Sequence, residues 1–223
     1  MDSKTQQLIV FYSVQVLALF ALASLQPNFI LLFFGWITFC GLASAVIMHR
    51  GLAHRTFKVS PWMTVLSCLA VQGSPLWWIA IHRRHHDHTD GDLDVHSPNH
   101  GIFHSYIGWL HKDIKINPRY IKDYLRDSTT KKIDKYYVHI VAFMLLLCLV
   151  FPSLIWFWLV PAAWSFHQEA IVNLFCHYKK IRNIEWLGLL TWGQAIHKNH
   201  HDKQNTFLFG KNDPCKIFTW LTN

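Results

Sequence analysis

The sequence is poor in charge and poorest in acid. Asp and Glu together number 13 among 223 residues, and charged residues of both signs make up only 15%. A soluble domain carries about 25%, so an ordinary soluble enzyme is excluded. Glutamate occurs only as Glu169 and Glu185. Neither is followed three residues later by histidine, which argues against the Glu-x-x-His pairs of a soluble carboxylate-bridged di-metal bundle. Cysteine is scarce too: Cys40, Cys68, Cys148, Cys176 and Cys215 show no CxxC or paired spacing. That excludes a secreted disulfide scaffold and implies reducing surroundings for the polar parts. No internal repeat or low-complexity stretch breaks the chain. At 52% hydrophobic residues, it is not a disordered one.

What is present is oil and histidine. Sixteen histidines accompany 11 Trp and 16 Phe. Apolar runs cover about 7–25 and 28–48, separated only by Gln26 and Pro27. Each has roughly the 20 residues that a membrane span needs. Ala21-Leu22-Ala23 resembles a signal cleavage site, but only Lys4 precedes the run and a second run follows at once. We therefore read the first run as a retained span. A third run, about 61–81, is interrupted by Gln72-Gly73-Ser74-Pro75 and reads as interfacial, with Trp77 and Trp78 at headgroup level. Two further runs, about 138–160 and 161–177, meet at Pro161 and read as a second hairpin. All 21 Lys and Arg fall outside the spans and the hairpin tips. By the positive-inside rule the termini and the central loop face the cytoplasm. The expected fold is all-α: a single domain of four spans in two hairpins, under a cytoplasmic helical cap of about 82–137 and 178–223. The net charge of +8 is not gathered on a soluble module, so no nucleic-acid partner is expected.

Histidine is concentrated in three boxes: His49 and His54 as HxxxxH, His82, His85 and His86 as HxxHH, and His197, His200 and His201 as a second HxxHH. On a helix, positions i, i+3 and i+4 share a face, so each HxxHH presents three imidazoles together. HxxxxH differs, because five residues turn a regular helix about 500° and leave the two rings about 140° apart. They can serve two neighbouring metals, or one if the helix bends. Eight clustered imidazoles exceed the four ligands of a structural zinc and suit two transition metals. Spacing alone does not name the metal.

The boxes and their flanks resemble the membrane fatty-acyl desaturases, in particular the stearoyl-CoA (Δ9) branch. His49-Arg-Gly-Leu-Ala-His54-Arg-Thr-Phe is similar to HRxxxHR[ST][FY]. His82-Arg-Arg-His85-His86 with Asp90, Asp92, Asp94 and His96 is similar to HRxHHxxTDxDxDPH, with Val95 in place of the proline. The segment from Gly101 to Leu110 is similar to GFxxSHxGWL, and His197-Lys-Asn-His200-His201 is similar to HNxHH. The resemblance runs from about residue 10 to 210. It implies a ninth ligand, His177, and a water-mediated one, Asn173. The implied cofactor is two ferrous ions, with O2 as co-substrate and no catalytic residue beyond the metal centre.

The implied reaction removes two hydrogens from adjacent carbons of an acyl thioester, acyl-CoA or acyl-carrier protein. No HPGG haem motif is fused, so electrons are expected from a separate protein of cytochrome b5 or ferredoxin type. Asp90, Asp92, Asp94 and the intramembrane Glu169 are expected to support the ligands. Phe33, Phe34, Trp36 and Ile37 are expected to close the acyl tunnel. Lys112, Lys115, Arg119 and Lys122 are candidates for the carrier headgroup, although Asp113 follows His111-Lys112 where the branch often has a basic pair. His88, His96, His100, His104, His111 and His139 are expected to be polar surface or hydrogen-bonding residues. The rival readings are a hydroxylase or acetylenase on the same scaffold and, more remotely, a histidine-rich metal transporter. The expected location is a multi-pass membrane protein with a cytoplasmic active site, in a bacterial inner membrane by preference or in the endoplasmic reticulum.

Overall fold

Helix α1 (Ser3–Ser24) is 22 residues long. At 1.5 Å per residue it reaches about 33 Å, enough to cross a hydrocarbon core of roughly 30 Å. The computed structural model describes residues 3–222, which form helices and no β-sheet strand. A short turn leads to α2 (Phe29–Gly35), capped by the Asn28 side chain, which accepts from the Leu31 N–H at 3.1 Å. The helix continues without a break through Trp36–Ala53, where it is π-wound. Here each hydrogen bond closes over five residues instead of four. The combined helix Phe29–Ala53 is the second candidate span by length and composition.

α3 (Pro61–Cys68) and α4 (Pro75–Asp87) both start with proline, whose missing N–H costs nothing in a first turn. The chain breaks between them as the sequence predicts, with Val71 at φ 55° and Gly73 at φ 126°. The loop after α4 carries α5 (Ile102–Tyr106) and several 3-10 turns. α6 (Ser128–Lys135) then bends by 54° into α7 (Tyr137–Val150), and the pair counts as one further candidate span.

One boundary differs from expectation. The apolar run does not turn at Pro161. It breaks at Phe151, whose φ −123° and ψ 83° are the extended geometry that a following proline, Pro152, imposes. From Ile155–Leu159, again π-wound, the helix runs on into α8 (Val160–His177). Pro161 sits in the first turn of α8, beside the wide turn that absorbs its missing N–H. α9 (Glu185–Leu190), α10 (His197–Asp202) and a 3-10 segment complete the described chain.

The main core joins Val14 and Ala18 of α1, Phe39 and Ala43 of the π-wound helix, and Trp158 and Ala162 before and within α8. Trp158 is fully buried and its Nε1 donates to the Leu69 carbonyl at 2.9 Å, which ties the α3–α4 break to the bundle. Outward, large apolar side chains stay exposed on α1 (Leu19, Phe20), α2 (Phe29, Ile30) and α7 (Leu146, Leu149). Contiguous apolar surface of that kind marks contact with lipid or another apolar partner.

Candidate metal centre

The rings come from four helical elements that meet at one end of the bundle. The π-wound helix and the residue after it supply His49 and His54, and the last turns of α4 supply His82, His85 and His86. The end of α8 supplies His177, and the six-residue α10 supplies His197, His200 and His201. Their nitrogens form two groups. His49, His54, His82, His86 and His200 make one, and His85, His177, His197 and His201 make the other, with ligand atoms within 4.8 Å of one another in each.

This sorting refines the sequence reading twice. First, each HxxHH divides between the groups rather than acting as a trio. His82 and His86 stay together, as do His197 and His201, while His85 and His200 cross over. At 100° per residue, i+4 lies about 40° from i, whereas i+3 lies about 60° to the other side. Second, His49 and His54 share a group, which a regular helix forbids. The π winding supplies the bend: the His54 N–H bonds to the His49 carbonyl at 3.1 Å, so i+5 returns over i.

In every one of the nine, Nε2 is the atom turned inward. Contacts between Nε2 atoms include His49–His200 at 3.0 Å, His54–His82 at 2.8 Å and His86–His200 at 2.9 Å in the first group. In the second they include His177–His197 at 2.7 Å and His85–His201 at 3.3 Å. Outer partners hold the opposite nitrogen. His85 Nδ1–H donates to Asp94 at 2.8 Å, His177 Nδ1–H to Asp90 at 3.0 Å, and His197 Nδ1–H to the Gln194 carbonyl at 2.9 Å. His49 Nδ1 pairs with Gln194 Oε1. The Gln194 amide is itself oriented, because its Nε2 donates to Glu169 at 2.6 Å.

These partners test whether metals fit. A carbonyl or carboxylate on Nδ1 fixes the proton there and leaves Nε2 with a bare lone pair. His177 and His197 then face each other lone pair to lone pair at 2.7 Å. No hydrogen bond can form between them, and a shared cation relieves the repulsion. The spacing also suits one, since metal–nitrogen bonds of about 2.1 Å set ligand nitrogens roughly 3 Å apart. Burial acts in the same direction. Desolvation, followed by the charges of Arg83 and Arg50, pulls His54 down to about 3. Desolvation, followed by neighbouring rings, pulls His201 down to about 2 and holds His82, His85, His86, His197 and His200 well below the ordinary 6.5. Neutral imidazole is the ligating form.

The remaining expected residues fall into four sets. Asp90, Asp94 and Glu169 meet the cluster as described, and Asp94 is further held by the backbone N–H of Asp90 at 3.0 Å. Asp92 is exposed and reaches no ring. Asn173 donates to the His96 carbonyl at 2.8 Å and to Ser105 Oγ at 2.9 Å, and its buried Oδ1 has no partner among the described residues. Phe33 and Phe34 are exposed on the outer face of the bundle, and Trp36 and Ile37 pack in a cluster with Trp192. None of these four lines the cavity of about 80 Å³ beside the rings, which is bordered by Trp78, Ile81, Trp109, Phe166 and Ala170. Lys112, Lys115, Arg119 and Lys122 are exposed, and Arg119 is engaged by Asp87.

Two contributors escaped the sequence reading. Gln194 lies three residues before the third box, and that spacing is its only trace in the sequence. His96 is no surface residue: its ring lies 4.6 Å from that of His85, and with His85 and Asp94 it forms a third donor group. His167, outside the cluster, bonds Tyr106 at 2.8 Å and Gln15 at 3.1 Å. Arg50 is wholly buried and pairs with Asp213 at 3.0 Å. It anchors the C-terminal segment behind His49.

A family model described as fatty acid desaturase matches residues 23–206. The sn-1 stearoyl-lipid 9-desaturase of Anabaena variabilis is 32% identical, over 84% of this chain and 75% of its own length. The Delta-9 acyl-lipid desaturase 2 of Arabidopsis thaliana is 30% identical, over 81% and 67%. The hex-5-enoyl-[acyl-carrier protein] acetylenase of Moorena producens is 30% identical, over 76% and 64%. With the match spanning all three histidine boxes, the chain belongs to the fatty acid desaturase family.

Proposed function

We propose that the protein is an oxygen-dependent di-iron desaturase of fatty-acyl chains. The observation that carries this reading is the pair of ring groups with their Nε2 atoms turned inward. His49, His54, His82, His86 and His200 would hold one iron. His85, His177, His197 and His201 would hold the other, with Asn173 reaching it through water by its free Oδ1. Iron rather than zinc is required, because bound iron supplies the redox activation of O2 that zinc and side chains lack. In net terms an acyl –CH2–CH2– pair, O2, two electrons and two protons give –CH=CH– and two waters.

The chain's own residues hold the reactants. Asp94, Asp90 and Gln194 fix the tautomers of His85, His177 and His49, so that their Nε2 lone pairs face inward. Trp78 stacks on His82 with ring centroids 4.7 Å apart and blocks its rotation. Trp78, Ile81, Trp109, Phe166 and Ala170 would seat the acyl chain beside the rings and exclude water. For the carrier we favour a thioester. Lys115 and Arg119 border a cleft of about 540 Å³ with Arg84, which supports an anionic headgroup there.

We read the architecture as four spans, namely α1, the helix Phe29–Ala53, α7 and the helix from Ile155 to His177, with the ring cluster on the cytoplasmic side. Lys and Arg lie outside these helices or in their end turns, Lys4 in the first turn of α1 and Arg50 in the last turn of Phe29–Ala53, which supports this orientation. A bacterial inner membrane is the preferred site, and electrons come from a separate carrier protein.

Expression in a host with a compatible electron donor, followed by mass spectrometry of its acyl chains, tests the reading. A new double bond is the expected result. Acetylenase is the second reading, supported by the Moorena relative, and a triple bond would select it. Hydroxylated chains would also overturn the desaturase assignment. Labelled acyl-CoA, acyl-carrier protein and phospholipid, supplied separately, identify the carrier.

A further inference from the structure

The chain that leaves α8 turns back along it. The Arg182 N–H bonds to the Cys176 carbonyl at 2.9 Å, and the Arg182 guanidinium donates to the carbonyls of Tyr178 at 2.8 Å and Phe175 at 3.1 Å. These bonds satisfy the last turn of α8 and reverse the direction of the chain. α9 therefore lies beside α8 rather than beyond its end. Leu187 packs on Val172 and Cys176, and Val172 is about 7 Å back along α8 from His177. Trp192, just past α9, reaches the π-wound helix at Gly41, where a Cβ would come within 2.7 Å of its ring. Gly41 precedes His49 by eight residues, which puts this contact on the order of 10 Å below the rings.

At that depth α9 leaves an apolar face open. Trp186, Leu189 and Leu190 stand at i, i+3 and i+4, share one side of the helix and are each more than half exposed. The neighbouring surface of α8 is apolar as well, with Phe175 more than half exposed. Lys179 and Lys180 are exposed at the edge of this face, and Glu185 is the one acidic residue between Tyr178 and His201. Tryptophan and leucine beside lysine suit the boundary between acyl chains and anionic headgroups. The segment is also tied to the third histidine box. The Ile184 N–H bonds to the Ala195 carbonyl at 2.8 Å. Asn183 Nδ2 donates to Asn199 Oδ1 at 2.8 Å, and the Asn199 N–H donates to Asn183 Oδ1 at 3.1 Å. Ala195 and Asn199 stand two residues either side of His197, so the placing of α9 bears directly on α10.

We propose that α9, with Lys179 and Lys180 at its edge, is a seat for anionic phospholipid of the cytoplasmic leaflet, and that lipid in this seat holds α10 in place. This rests on the four-span architecture and not on the reaction catalysed. The test uses the full chain in lipid nanodiscs of phosphatidylcholine alone and of an equal mixture with phosphatidylglycerol. A nitroxide on Leu189→Cys reports depth, because the five native cysteines are buried. One on Leu149→Cys, exposed on α7, is the control. The label at 189 is expected to be reached by oxygen and shielded from an aqueous nickel chelate. Spin-labelled phosphatidylglycerol should be retained about fivefold over phosphatidylcholine. High salt, or Lys179→Gln with Lys180→Gln, should remove that preference. Amide exchange across residues 195–202 should slow several-fold in the mixed discs, and not in the double lysine variant. A label at 189 that lies in water overturns the seat, as does equal retention of the two lipids. Shielding from both agents in a cross-linked dimer puts a second copy on this face and overturns it too. Exchange at α10 that ignores lipid composition overturns the coupling. A control label at 149 that lies in water sinks the four-span reading, and the seat with it.

Discussion

The lone pair of His85 is aimed by a carboxylate that is itself aimed by two backbone amides. Asp94 accepts from His85 Nδ1–H at 2.8 Å and from the N–H groups of Asp90 and His96 at 3.0 and 3.3 Å. Asp90 adopts φ 59°, a left-handed conformation that Asp tolerates better than most residues. That turn brings its own carboxylate to His177. Asp94→Asn keeps the size but weakens the tautomer lock. Affinity for the proposed iron should fall about 10- to 100-fold with the helical content unchanged, as measured by competition with a chromogenic chelator. His85→Ala removes a proposed ligand outright and should abolish product, and desaturation retained in this variant would remove His85 from the site. Asp213→Ala strands the wholly buried Arg50 without its partner. The expected cost is about 3–5 kcal/mol, measured by denaturant titration in detergent.

At the scale of elements, the decisive one is the π-wound helix Trp36–Ala53. A regular helix separates His49 from His54 by about 140°, and winding over five residues brings both into one group. The segment has little room to change. A Cβ on Gly51 would approach Val59 Cγ2 to 2.6 Å and Phe57 Cζ to 2.8 Å. Gly51→Ala should therefore cost about 1–3 kcal/mol. It should also loosen His54, which follows three residues later, so the first ring group should lose iron before the second. Iron titration with spectroscopic separation of the two sites measures this order of loss. α10 shows the opposite economy: six residues on a regular helix feed both groups, because i+3 and i+4 diverge.

At the scale of the whole molecule, the buried rings make stability depend on pH. His54 and His201 ionise in the folded protein only near about 3 and 2, against 6.5 when exposed. Below pH 6.5 the unfolded chain therefore takes up protons that the folded one refuses, and stability falls as the pH falls. Thermal melts of the metal-free protein should shift downward steadily from pH 6.5 to pH 4, with little change between pH 7 and pH 8. Loading with the proposed iron should steepen the loss, since protonated imidazole does not ligate.

Much of this was legible in the residues. Hydropathy marked the helices, and the breaks at Gln26–Asn28 and Gln72–Pro75 appeared where expected, because proline and short polar turns act locally. The histidine boxes named the ring set, and resemblance added His177. The later helix break was misread because Pro152 and Pro161 look alike in sequence. Only the backbone shows which one follows an extended residue and which one sits in a first turn.

The sequence by itself determined the chemistry available to this protein: an oily, basic chain carrying histidine at i, i+3, i+4 and i+5 spacings. Those are covalent facts, and local helix geometry turns them into faces. Tertiary structure alone decided the partition of nine rings into five and four, and the part played by Gln194 and His96. Each of these depends on which helices cross and how far each is wound. Crossing is set by packing among residues distant in the chain, and no short spacing encodes it.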